Sequence, residues 1–217
     1  SNVLFKNLGN MDFEEVSFAA GITTSSPTRL PLAADYNNDG CLDLFIGALS
    51  GNSFLYKNNC DGSFTDVTTQ SGIVANGGIR GGAWNDVNKD GFVDLYVGRL
   101  TENNYLFQNN GDGTFINVAQ NMNASGPQSN GLVMGLSFVD YDNDGDDDIF
   151  ITQDGNLGNI LLRKEDAGMF IDMSNSSNVN LPVMGMGVAV GDYDRDGYFD
   201  IYTSNLYENS LLNNSPD

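Results

Sequence analysis

Four nine-residue segments carry oxygen side chains at a spacing that suits one hard cation. They are Asp35–Asp43, Asp86–Asp94, Asp140–Asp148 and Asp192–Asp200, and they share the pattern D-x-[DN]-x-D-G-x-x-D. Alternate positions 1, 3 and 5 (Asp35, Asn37, Asp39; Asp86, Asn88, Asp90; Asp140, Asp142, Asp144; Asp192, Asp194, Asp196) can converge on an ion, and the glycine at position 6 permits the sharp turn. Position 7 (Cys41, Phe92, Asp146, Tyr198) offers a backbone carbonyl, and the aspartate at position 9 (Asp43, Asp94, Asp148, Asp200) closes the shell. Donors that are all oxygen select Ca²⁺ over softer metals, and Mg²⁺ resists crowded protein cages. Crowded carboxylates repel one another without a cation. About four Ca²⁺ would bring the formal net charge from −20 to about −12. Solvated Asp/Asn/Gly turns would explain one such loop, but four in register point to metal.

The rest of the composition narrows the chemistry. The chain has 217 residues, 29 acidic and 9 basic, and no histidine. That excludes Ser-His-Asp and Cys-His catalysis and an imidazole base. So acidic a chain also repels nucleic acid and anionic membrane surfaces. No apolar run is long enough for a membrane-spanning helix. The first residues, Ser1–Lys6, read as a strand and not as a signal peptide.

The loops need elements to hold them, and a repeat of about 50 residues supplies these. Asn2-Val-Leu-Phe-Lys-Asn recurs as Ser53-Phe-Leu-Tyr-Lys-Asn, Asn104-Tyr-Leu-Phe-Gln-Asn, Asn159-Ile-Leu-Leu-Arg-Lys and Asn209-Ser-Leu-Leu-Asn-Asn. Phe13-Glu-Glu-Val-Ser recurs at Phe64, Phe115 and Phe170. In the third unit the short apolar runs 132–138, 148–152, 159–163 and 169–173 predict strands A, B, C and D. The expected fold is all-β, with β-propeller-type blades of four antiparallel strands. The small residues of Gly185–Gly191 suit an innermost strand A, where backbones crowd the axis. No helical period is convincing, and position 12 lacks the glutamate of an EF-hand.

These motifs resemble the FG-GAP/VCBS repeats of integrin α-subunit propellers and of many bacterial extracellular proteins. Phe45-Ile-Gly-Ala and Tyr96-Val-Gly match the strand after the calcium loop; Phe150-Ile-Thr-Gln and Tyr202-Thr-Ser-Asn depart from it. The elements N-x-L-[FYL]-x-N and G-x-F-x-[DEN]-V-[ST] are more similar to the bacterial VCBS-type branch. The resemblance covers essentially the whole chain and implies a single propeller domain over 1–217. It also implies calcium on one face and an extracellular, cell-surface or periplasmic setting.

Strand C occurs five times, one more than four blades need. Three arrangements follow: a closed four-bladed ring, part of a larger propeller, or self-association through open strand edges. In the closed ring the N-terminal strands would complete the last blade. Folding the first B–C hairpin about Leu49–Asn52 pairs 43 with 58 and 41 with 60, so a Cys41–Cys60 disulfide is expected. Asn123, Asn175 and Asn213 lie in N-x-[ST] sequons. Trp84 and the position-2 residues Tyr36, Tyr141 and Tyr193 are expected to pack.

A glycan or protein ligand is expected on the face away from calcium, where the D–A loops Thr23–Arg29, Gly72–Gly78, Asn121–Asn130 and Asn175–Leu181 gather. The leading function is non-catalytic adhesion, recognition or surface assembly. A carbohydrate lyase or hydrolase and a purely structural subunit are the alternatives. The spare acids Glu14, Glu15, Glu102, Glu165 and Glu208 form no evident pair for hydrolysis, and Arg80, Arg99 and Arg195 are not grouped.

Overall fold

The computed structural model describes residues 2–24, 26–126 and 131–215. Part of the Asn121–Asn130 loop and one residue of Thr23–Arg29 therefore lie outside the described residues. The fold is all-β, and the one helix among the described residues is a single turn, α1 (Thr68–Ser71).

Apolar strand runs alternate with Asp/Asn/Gly turns, and the chain folds into successive antiparallel sheets. The first full sheet runs β3 (Thr28–Ala34), β4 (Asp43–Ala48), β5 (Phe54–Asn58), β6 (Phe64–Asp66). The second runs β7 (Ile79–Asn85), β8 (Asp94–Arg99), β9 (Tyr105–Asn109), β10 (Phe115–Asn117). The third runs β11 (Val133–Val139), β12 (Asp148–Gln153), β14 (Ile160–Lys164), β15 (Phe170–Asp172). The strands expected in the third unit are all present, with ends shifted by a residue or so.

A fourth sheet holds β17 (Gly185–Gly191), β18 (Asp200–Asn205) and β19 (Ser210–Leu212). Before the first sheet, β1 (Phe5–Gly9) pairs only with β2 (Asp12–Glu15). A small pair not expected from the sequence joins β13 (Leu157–Gly158) to β16 (Pro182–Val183). The closed ring in which the N-terminal strands complete the last blade is not formed: β1–β2 and β17–β19 remain separate sheets.

The core lies between consecutive sheets. Phe45 and Leu55 of the first sheet pack with Ile79, Leu95, Val97 and Phe107 of the second. Tyr96 and Leu106 of the second pack with Val133, Ile149, Ile151 and Phe170 of the third. Phe150 and Leu161 pack with Ile201, Val188 and Leu212 of the fourth. Every residue of β12 is buried, because this B strand has a sheet on each side. The A strands β3, β7, β11 and β17 stand next to one another in chain order. Close approach there needs small residues: a Cβ on Gly135 would stand 3.2 Å from the Cα of Gly187.

Trp84 packs as expected, stacked on Tyr36 at 6.5 Å and tilted against Phe115 at 6.2 Å. Packing at position 2 fades along the chain: Tyr36 is buried, Tyr141 half-buried and Tyr193 exposed. The first B–C hairpin is one residue off the expected register, with Leu44 opposite Tyr56 and Ile46 opposite Phe54. The wider turn Leu49–Ser53, with Gly51 at φ 79°, takes up the difference. Cys41 and Cys60 are nonetheless disulfide-bonded, with Cα atoms 5.7 Å apart. Both lie beyond the paired strand ends, where the ladder no longer sets the register.

Candidate metal centre

Each Asp-rich loop is an A–B connection, so its last aspartate is the first residue of a buried B strand. Asp43, Asp94, Asp148 and Asp200 are at most 2% exposed. Each accepts two backbone N–H groups. Asp43 takes those of Tyr36 and Asn58, and Asp94 those of Val87 and Asn109. Asp148 takes those of Tyr141 and Lys164, and Asp200 those of Tyr193 and Asn214. The position-9 carboxylate therefore ties its own loop to the end of strand C. Burial pushes Asp43 and Asp94 up to about 6 and Asp148 up to about 7, with the two N–H bonds opposing the shift.

The loops also organise themselves. Position 1 accepts the N–H of the position-6 glycine in all four, at 2.8–3.1 Å (Asp35–Gly40, Asp86–Gly91, Asp140–Gly145, Asp192–Gly197). Position 5 accepts the N–H of position 7 (Asp39–Cys41, Asp90–Phe92, Asp144–Asp146, Asp196–Tyr198). The position-6 glycines have φ near +90°, and position 4 is also left-handed at Asn38, Lys89, Asn143 and Arg195.

Carboxylate oxygens of positions 1, 3 and 9 converge in two loops. Those of Asp140, Asp142 and Asp148 lie within 4.8 Å of one another, as do those of Asp192, Asp194 and Asp200. In the first two loops Asn37 and Asn88 stand at position 3, so the matching set is two carboxylates and an amide. Position 5 belongs to neither triad; Asp144 and Asp196 instead serve the backbone turn. A third cluster, Asp39 with Cys41 and Cys60, offers no thiolate because its sulfurs are bonded to each other.

The donor sets fit a hard divalent cation. They are all oxygen, and in the third loop the Oδ1 atoms of Asp140 and Asp142 are buried with no hydrogen-bond partner. Burial first, and then the neighbouring Asp144 carboxylate, raises the Asp142 carboxyl above the ordinary carboxylate range.

Two sets of residues at this face were missed in the sequence. The residue that closes the strand C motif caps a neighbouring loop: Asn109, at the end of β9, donates its side-chain amide to the Tyr36 carbonyl at 2.8 Å, and Asn214, two residues past β19, donates to that of Tyr141 at 2.6 Å. The final Asn of N-x-L-[FYL]-x-N was its signal. Position 4 also reaches the next loop, with Asn38 donating to Gly91 O and Asn143 to Gly197 O, both at 2.9 Å. Nothing in the sequence marks position 4 beyond the repeat itself.

On the opposite face the D–A loops are pinned to B–C turns. Gly78 N bonds Leu49 O, Leu100 N bonds Gly78 O, and Arg99 donates to Asn76 O at 2.9 Å while lying 4.7 Å over the Tyr105 ring. Glu102 is ion-paired with Arg99 and Glu165 with Arg163.

The family model for FG-GAP-like repeats matches residues 35–97, 86–151 and 140–203. Cartilage acidic protein 1 of Xenopus tropicalis is 31% identical over 180 residues, covering 77% of this chain and 27% of that protein. The Homo sapiens protein of the same name is 26% identical over 151 residues, covering 68% and 22%. The chain thus spans about a quarter of the length of these relatives. Among solved structures, the crystal structure of BBS1N in complex with ARL6DN, soaked with lead, is similar at a TM-score of 0.50 and 13% identity. It covers 89% of this chain and 58% of that one. At that identity the likeness concerns the β-propeller fold alone.

Proposed function

The chain belongs to the FG-GAP-like repeat family, and from that premise we propose that it is a non-catalytic, calcium-binding repeat module. It acts outside the cytoplasm in adhesion, recognition or surface assembly. The observation that carries the calcium reading is the third loop, where three carboxylates converge and two buried oxygens lack partners. Loops of the same pattern recur at 35–43, 86–94 and 192–200, so about four ions are expected. In each loop positions 1, 3 and 9 would supply side-chain oxygens, with position 5 and the position-7 carbonyl as further donors. Bound calcium would neutralise the crowded carboxylates and hold each A–B connection rigid.

The Cys41–Cys60 disulfide supports an extracellular, cell-surface or periplasmic setting. So does a net charge of −20 in a chain related to proteins named for cartilage and acidity. No helix among the described residues is long and apolar enough to cross a membrane. The VCBS-type placement within the family rests on the strand C and strand D motifs alone. We place a glycan or protein ligand on the face away from the Asp-rich loops, where pinned D–A loops make a rigid platform. The 1–217 segment is read as one propeller-type domain, and its separate end sheets leave two arrangements, part of a larger propeller or self-association through open strand edges.

Thermal unfolding in millimolar calcium and in excess chelator tests the proposal. Sites with Kd near 10⁻⁴ M would each add about 1–2 kcal/mol at ~2 mM calcium, so a large upward shift in Tm is expected. An unchanged Tm would overturn it. A glycan array probed with and without chelator then distinguishes a lectin from a protein binder.

A further inference from the structure

The three seams between neighbouring loops are not built alike. At the first and third seams, neutral amides join the sheets. Asn38 donates to Gly91 O and Asn109 to Tyr36 O at the first; Asn143 donates to Gly197 O and Asn214 to Tyr141 O at the third. At the second seam lysine stands at both equivalent positions. Lys89 holds position 4 of the second loop, and Lys164 ends strand β14.

Both ammonium groups meet on one oxygen of the third loop, Asp146 Oδ1, at 2.6 and 2.9 Å. The Lys164 side chain is only 8% exposed, against 59% for Lys89. Beside them Asn85 donates to Asp147 Oδ2 at 2.7 Å. The other loops carry no acid at these two positions, where Cys41-Leu42, Phe92-Val93 and Tyr198-Phe199 stand. The third loop thus combines six aspartates, at 140, 142, 144 and 146–148, with two resident positive charges.

We propose that Lys89 and Lys164 are built-in counter-cations of the third loop that oppose calcium binding there, with Lys89, which reaches Asp146 from the second loop, also holding the second seam in the absence of metal. The inference rests on the calcium reading of the loops. Its physical basis is twofold. Two ammoniums offset the repulsion of a six-aspartate loop when no ion is present. The same charges raise the local potential that an arriving divalent cation must meet. The amide seams keep their bonds whatever the loops hold. The ionic seam also weakens as salt rises, most at the exposed Lys89.

The test compares the full chain with K89A/K164A and K89N/K164N by melting in chelator and by calorimetric calcium titration. In chelator, K89A/K164A should melt several degrees lower than the parent, and the gap should shrink at high salt. K89N/K164N removes the charge while offering the amides used at the other seams, which guards against a simple folding failure. In it one calcium-binding step should tighten on the order of ten-fold, and adding D142N should abolish that step. K6N, a charge change on β1, should leave every step unmoved. Calcium binding that is unchanged or weaker in K89N/K164N would overturn the inference while leaving the calcium reading intact. A parent that takes up no calcium would overturn the calcium reading, and the chelator melts would still decide whether the lysines stabilise the metal-free chain.

Discussion

Asn109 donates its buried side-chain amide to the backbone carbonyl of Tyr36, on the loop of the preceding sheet, at 2.8 Å. The same amide reaches Val93 O at 3.2 Å, and its backbone N–H binds Asp94. One residue thus ties strand C to its own Asp-rich loop and to the neighbouring one. N109A should cost about 1–3 kcal/mol, because two carbonyls beside the core lose a donor. N58A, whose side-chain amide donates to Leu42 O and accepts the Cys60 N–H at an exposed site and makes no link to a neighbouring loop, should cost less. Urea unfolding of both variants checks the order; equal costs would show that the link between sheets adds nothing.

The buried position-9 aspartates predict an inverted pH response without metal. Burial holds Asp43 and Asp94 near 6 and Asp148 near 7, above the ordinary carboxylate value of 3.8. The folded chain therefore keeps protons that the unfolded chain releases. Their stabilising contribution is complete below about pH 4 and is lost as pH rises through 6 to 7. In chelator, Tm should fall between pH 5 and pH 8. In millimolar calcium it should hold or rise, since ionised carboxylates bind the ion. A Tm in chelator that climbs with pH would contradict the assignment.

Cys41–Cys60 closes a short loop, with a sequence separation of 19. C41S/C60S should lose about 3 kcal/mol through the freer unfolded chain. The third and fourth loops do not touch the bond, so their calcium affinity should be unchanged. Denaturant unfolding with calorimetry reads both, and a loss of calcium at all sites would show that the bond does more than cross-link one hairpin.

At the crowded axis, a Cβ on Gly135 would stand 3.1 Å from Thr152 Oγ1, 3.2 Å from Gly187 Cα and 3.3 Å from Met186 O. Two of these are backbone atoms and cannot swing aside. G135A should destabilise by about 1–3 kcal/mol. G145A, which meets nothing within 4 Å but has φ +89°, should also destabilise, through backbone strain alone. Proteolysis or thermal melts would compare the two. A neutral G135A would mean that the third and fourth sheets can separate without cost.

Much of this protein was legible from its residues. The 50-residue repeat, the strand order within a unit and the four Asp-rich loops follow from local chemistry: alternating apolar runs, left-handed glycines and side chains that cap their own turns. The Cys41–Cys60 pairing was legible too, although the hairpin register behind it slipped by one residue. The turn Leu49–Ser53 sets that register, and turn geometry is not written in the apolar pattern. Tertiary structure decided what lies between units. It kept β1–β2 and β17–β19 apart, because closure depends on the cumulative angle between sheets and not on any one strand. It also made Asn109 and Asn214 staples and brought Lys89 and Lys164 together on Asp146. Asn109 and Tyr36, Asn214 and Tyr141, and Lys89 and Asp146 lie on different repeats, and a periodic sequence shows which residues recur but not which neighbours they face across a seam.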